Sequence, residues 1–130
     1  VIQAHEVMTE PVPVTADLSL ADALERVGDR TGAFVIDDAG KPIGLLTVAD
    51  GLRAANVGST SIESAIRDDF ETAAATATLN TVYAKAGRGL PIAVIDDAGV
   101  LIGNLDPQLI MEEMGRVEQL IDGFEREVFM

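Results

Sequence analysis

The sequence predicts an α+β fold made of two pseudo-symmetric repeats packed as one module, with a long C-terminal helix. Three observations carry this expectation. The chain matches itself without a gap at an offset of 59 residues: Phe34–Thr47 reads FVIDDAGKPIGLLT, Ala93–Asp106 reads AVIDDAGVLIGNLD, and nine of the fourteen positions are identical. Within each copy, apolar residues switch from helical to strand spacing. Beyond the second copy the apolar residues fall into a heptad pattern.

The elements follow in order within each repeat. Leu20, Ala23, Leu24 and Val27 recur at i, i+3, i+4 and i+7, which predicts a helix over Ser19–Val27 with Asp17 or Ser19 as its cap. Leu79, Val82, Tyr83 and Ala86 predict the counterpart over Thr78–Ala86. Short apolar runs then predict strands at Ala33–Ile36 and Ile92–Ile95, and Asp-Asp-Ala-Gly turns each strand back, with Gly in the left-handed position. Second strands are expected at Pro42–Thr47 and Val100–Leu105, each followed by a helix. The order per repeat is helix, strand, strand, helix. Asn56–Thr60 looks like the linker. The expected division is 1–57 for the first repeat, 58–114 for the second and 115–130 for the helical extension. A copy of about 60 residues buries too little surface to be comfortable alone, so the two are expected to cover each other's apolar faces.

Composition removes several function classes. With 48 % apolar and 24 % charged residues the chain reads as globular. It has no cysteine and one histidine, His5, which excludes disulfides, thiolate zinc sites and thiol nucleophiles and leaves no basis for a Ser-His-Asp triad. His5 is read as a solvated side chain near the N-terminus. No nucleophile, base or metal set can be assembled, so no catalytic residue, metal or required cofactor is expected. The net charge of −13 and the absence of Trp disfavour nucleic acid and anionic lipid as partners. No apolar run is long enough to insert into a bilayer, and the first ten residues lack the pattern of a secretory signal, so a cytoplasmic location is expected. Val1 in place of an initiator Met leads to the expectation that this is a piece of a longer protein.

The stretch Gly44-Leu45-Leu46-Thr47-Val48-Ala49-Asp50 ends in a Thr-x-x-Asp pattern at the start of an expected helix. A carboxylate there is able to accept both hydroxyls of a ribose, and helix N-terminal amides suit a phosphate. The same residues equally make an ordinary cap, Thr47 as N-cap and Asp50 as the acid of the first turn. Arg53 is the nearest basic residue, either a phosphate partner or an exposed helix side chain. In the second copy Asp106 replaces Thr47 and Leu109 replaces Asp50, so that half-site is expected to be dead for nucleotides.

The duplication, the paired Asp-Asp-x-Gly hairpins, Thr47-x-x-Asp50, and Val7-Met8-Thr9 leading into Pro13-Val14-Thr15 together resemble a tandem of CBS domains, the Bateman module, over nearly the whole chain. That resemblance implies a regulatory module for adenosyl ligands such as AMP, ATP, S-adenosylmethionine or cyclic di-AMP. It implies Thr47 on the phosphate side, Asp50 on the ribose, and an adenine pocket built from Pro13, Val14 and Ala33. Ser61–Ile66 through Leu90–Asp96 further resembles the C-terminal region of ATP-binding subunits of glycine betaine/proline ABC transporters. This implies an upstream ATPase domain, a membrane transporter complex as partner, a place at the inner face of the membrane, and a role in osmoregulation. The alternative is a ligand-free association module.

The C-terminal pattern places Ile110, Met114, Val117, Ile121, Phe124 and Val128 at steps of 4, 3, 4, 3 and 4. The seam is suited either to packing back on its own module or to association, most simply as a homodimer. Gly115 and Gly123 weaken the helix by about 1 kcal/mol each, so it needs packing to persist.

Overall fold

The computed structural model describes residues 2–116. Its elements are α1 (Ala4–Val7), β1 (Val14–Thr15), α2 (Leu20–Val27), β2 (Gly32–Ile36), β3 (Pro42–Thr47), α3 (Val48–Asn56), β4 (Glu71–Ala74), α4 (Leu79–Lys85), β5 (Ile92–Ile95) and β6 (Leu101–Leu105). A further helix, α5, covers residues 107–116. The strands form two three-stranded sheets, β1-β2-β3 and β4-β5-β6. In each, the first strand runs parallel to the second and the second antiparallel to the third.

The expected order of each repeat is therefore corrected by one strand at its start. Val14-Thr15 is two residues long beside Pro11 and Pro13, and Glu71-Thr72-Ala73-Ala74 has little β-propensity, so neither declares itself locally. Both exist because β2 and β5 offer a free edge. The expected helices and hairpins stand nearly as read. Ser19, not Asp17, caps α2, its side chain accepting from the Asp22 N–H at 3.2 Å. Thr78 caps α4. The two hairpins are built alike: Asp37 Oδ1 accepts from Ala39 and Lys41 N–H, and Asp96 Oδ1 from Ala98 and Val100 N–H, all at 2.9 Å. Gly40 and Gly99 take φ of 82° and 83°, which side-chain-bearing residues resist.

The halves exchange their leading segments. The first core gathers Val14, Leu20, Val27, Val35 and Leu46, and is completed by Ile62 and Ala65 from beyond the linker. The second gathers Leu79, Val82, Ile92, Val94 and Leu105, and is completed by Ala4 from the N-terminus. The hydrophobic cores thus cross the 57/58 division in both directions. Backbone pairs fix the crossings. Leu45 and Arg67 exchange N–H···O bonds at 2.8 and 3.0 Å, and Thr9 and Asn104 do so at 2.9 Å each way.

The repeated Ile-Gly of the two copies now has a cause. A Cβ on Gly44 would stand 3.0 Å from Ile66 Cδ1, and one on Gly103 would collide with Met8 Sδ. Each glycine leaves room for the segment arriving from the other half. A third, smaller cluster of Phe34, Leu45 and Ala93 joins the two sheets, with Phe34 and Phe70 packed edge to face at 5.2 Å between ring centroids.

At its first position the C-terminal seam packs back on its own module. Ile110 is fully buried in the second core and so serves the module itself, while Met114 packs against that core and stays half-buried. Val117, Ile121, Phe124 and Val128 lie outside the described residues.

The exchange is testable by truncating a side chain on the far side of the linker. Ile62→Ala is expected to destabilise the protein by about 2–5 kcal/mol in urea unfolding, whereas Val57→Ala, five residues away and 80 % exposed, is expected to stay within about 0.5 kcal/mol. Equal, small effects would refute the crossed cores.

Candidate functional site: a cleft at the start of α3

β3 delivers Thr47 to the first turn of α3, where it is 5 % exposed. Its Oγ1 accepts from the Asp50 N–H at 3.1 Å, and the Val48 N–H donates to Thr31 O at 3.0 Å. The cap is therefore made, and two of the donors expected to meet a phosphate are already committed. Asp50 does not fold back on the cap. Its carboxylate is paired with Arg53, Oδ1 to Nη1 at 3.0 Å, and lies 3.6 Å from Arg67 Nη1 through Oδ2.

Arg67 arrives with the exchanged segment. The backbone pair with Leu45 holds it against β3, and its guanidinium also grips Asp69 in a two-point bond, Nε to Oδ1 at 2.7 Å and Nη2 to Oδ2 at 3.1 Å. Arg88, from the turn after α4, adds Nη2 to Asp69 Oδ2 at 2.7 Å and bonds the Asp69 carbonyl. The hydrogen bonds from Arg67 and then Arg88 hold the Asp69 carboxyl well below the usual carboxylate range, and the bond to Asp69 raises Arg67 above its ordinary value. Exposed ion pairs of this kind add little stability. What they do is hold the Arg53 and Arg67 guanidiniums at one opening, with Arg88 fixing Asp69 beside them.

That opening is a cavity of about 770 Å³ lined by Asp50, Arg53, Ser59, Ser64, Arg67 and Asp69 among others. It combines a carboxylate able to accept a diol with guanidiniums able to take an anion. Of the expected site residues, the structure brings Asp50 and Arg53 to this cavity, with Thr47 behind them as the cap. The residues expected around adenine are not among those that line it. Val14 and Ala33 are side chains of the first core, at most 1 % exposed, and Pro13 is exposed with its carbonyl engaged by Arg26 at 2.9 Å. Reading the sequence missed Arg67, Asp69 and Arg88. The available signal was the charged Arg67-Asp68-Asp69 set between apolar Ile66 and Phe70.

The pseudo-symmetric cleft, at the start of α5, encloses about 410 Å³. There Asp106 Oδ1 accepts from the Gln108 N–H at 2.9 Å, so Asp106 caps α5 as Thr47 caps α3, and Oδ2 accepts from Thr31 Oγ1 at 3.2 Å. Leu109 stands where Asp50 does in the first copy. His5 is exposed on α1, with Nε2 2.9 Å from Gln3 Oε1. Among the described residues no helix is long and apolar enough to cross a membrane.

Residues 4–56 match the family model of the CBS domain. No curated protein sequence matches the chain. The fold of the described residues is that of paired CBS domains. CBSX2 of Arabidopsis thaliana in complex with AMP is 19 % identical, with 91 % of this chain and 99 % of that one covered and a TM-score of 0.76. The CBS domain pair of protein MJ0100, in complex with 5′-methylthioadenosine and S-adenosyl-L-methionine, is 20 % identical over 88 % and 97 %, with a TM-score of 0.77. Staphylococcus aureus OpuCA is 18 % identical over 85 % and 97 %, with a TM-score of 0.71.

The Arg67–Asp69–Arg88 cluster makes a pH prediction. A carboxyl held low in the folded state contributes stability that is present above the unfolded value of about 3.9 and is lost only as pH falls through the lower folded value. Asp69 is therefore expected to remain ionised at pH 3 in carboxyl-carbon NMR titration, and to titrate near its ordinary value in Arg67→Met/Arg88→Met. An ordinary Asp69 titration in the unaltered protein would remove the cluster.

Proposed function

We propose that the chain is a non-catalytic regulatory module that senses an adenosyl ligand in the cleft at α3 and passes the occupied state to an attached effector. The observation that carries this reading is the Asp50 carboxylate at the mouth of a cavity shared by both halves, with Arg53 and Arg67 beside it. Structures of the same fold in complex with AMP, 5′-methylthioadenosine and S-adenosyl-L-methionine support it.

The geometry gives a mechanism. A ribose diol donates both hydroxyls to Asp50 and displaces the longer of its two contacts, that to Arg67. The released guanidinium, with Arg53, then meets the ligand's phosphate. Asp50 belongs to the first half and Arg67 to the segment leading into the second, so an occupant ties the two halves at their seam. In the finer form of this reading the effector is the ATPase subunit of a glycine betaine/proline ABC transporter. The module then acts as a homodimer on the cytoplasmic side of the membrane, in osmoregulation. The support for this form is the resemblance of Ser61–Asp96, with the match to OpuCA alongside it.

The second reading is a ligand-free association module. It is favoured by the fact that Asp50 is already paired, and by Leu52 and Val57 at 54 % and 80 % exposure.

A thermal-shift series with AMP, ADP, ATP, S-adenosylmethionine and cyclic di-AMP separates the two. A ligand at about a hundred times its dissociation constant adds about 2.7 kcal/mol, which moves the midpoint by several degrees at this size. We expect such a shift for at least one ligand and its loss in both Asp50→Ala and Asp50→Asn. No shift with any of them refutes the sensor and leaves the association module.

A further inference from the structure

The positive charge available to a ligand in the cleft at α3 is small and can be counted. The lining carries two guanidiniums, Arg53 and Arg67, against three carboxylates, Asp50, Asp68 and Asp69. Its other polar side chains are the hydroxyls of Ser59 and Ser64, and Ser64 already donates to Ser61 O at 3.3 Å. Arg88 is spent on the carboxylate and carbonyl of Asp69 and is not on the lining. At the start of α3 the Val48 N–H donates to Thr31 O and the Asp50 N–H to Thr47 Oγ1, so two of the helix's first amides are closed to an anion.

The three carboxylates are not equivalent. Asp50 is shared by Arg53 and Arg67, and Asp69 is held by Arg67 and Arg88. Asp68 is exposed and makes no ion pair with any described residue. It directly follows Arg67, whose backbone is pinned to Leu45 by two hydrogen bonds, so the crossing that delivers Arg67 to the cleft delivers Asp68 with it. A single phosphate occupies both guanidiniums, charge against charge. A second phosphate finds no cation left on the lining and meets a cavity whose unpaired charge is negative. A ligand with no phosphate leaves both guanidiniums to the carboxylates they already hold and gains nothing from them.

We propose that this cleft selects its ligand by phosphate number. It takes a nucleoside carrying one phosphate and disfavours both the unphosphorylated nucleoside and the di- and triphosphates, with Asp68 as the residue that turns the longer chains away. The inference rests on the reading of the cleft as an adenosyl-ligand site and narrows it.

Calorimetric titration of the full chain with adenosine, AMP, ADP and ATP in magnesium-free buffer tests it. AMP is expected to bind tightest, with adenosine and ATP each about tenfold weaker or worse. Asp68→Asn is expected to raise the affinity for ATP relative to AMP by about tenfold, and Asp68→Lys to raise it further. Asp68 is exposed, so neither variant is expected to lower the melting temperature. If ATP or adenosine binds the unaltered protein as tightly as AMP does, selection by phosphate number is overturned and the sensor stands. A preference for AMP that is unchanged in both variants overturns the part given to Asp68. Failure of all four to bind also overturns the proposal: a thermal shift with S-adenosylmethionine then keeps the sensor, and its absence removes both.

Discussion

The exchange of leading segments is the constraint on which the rest of the structure depends. Neither half closes its core from its own residues: the first needs Ile62 and Ala65, the second needs Ala4. Gly44 and Gly103 exist as glycines so that Ile66 and Met8 can lie across the sheets. The same crossing builds the cleft. Ile66 seals the first core, and the next residue, Arg67, is thereby pinned by two backbone hydrogen bonds beside Asp50. Packing and recognition are adjacent positions on one segment.

The backbone duplication is close to symmetric and the chemistry laid over it is not. Thr47 and Asp106 do the same work at the starts of α3 and α5, accepting from amides of the first turn. Around them Asp50 and Arg53 give way to Leu109 and Glu112. Both clefts carry carboxylates, and the first sets Arg53 and Arg67 among them where the second has Arg30, on the same scaffold. Repetition secures the fold, and the freedom to differ is confined to side chains that line the clefts.

The local structure was legible in the sequence because its causes are local. Helix caps at Ser19 and Thr78 and the Asp37 and Asp96 turns depend on residues within four positions of each other. β1 and β4 were not legible, because pairing with β2 and β5 makes them strands, and their own residues do not. The site was legible in part. Thr47, Asp50 and Arg53 share one helix turn and announce themselves. Arg67 and Asp69 reach the same opening only through the exchange, which no spacing along the chain encodes. Pro13, Val14 and Ala33 show the converse: two of them are core residues first.

The crossing also imposes an order on the chain as it leaves the ribosome. The first core can close once Ile66 has emerged, only a few residues beyond its own linker. The N-terminal segment must wait far longer, since Leu79 donates to Ile2 O and the Thr9 bridge needs Asn104. During that interval Ile2, Val7 and Met8 have no core to enter, which is the kind of exposure that draws chaperones and slows folding. The segment that leads the first half is therefore among the last parts of the module to find its place, and it stays unpaired until the second sheet is complete.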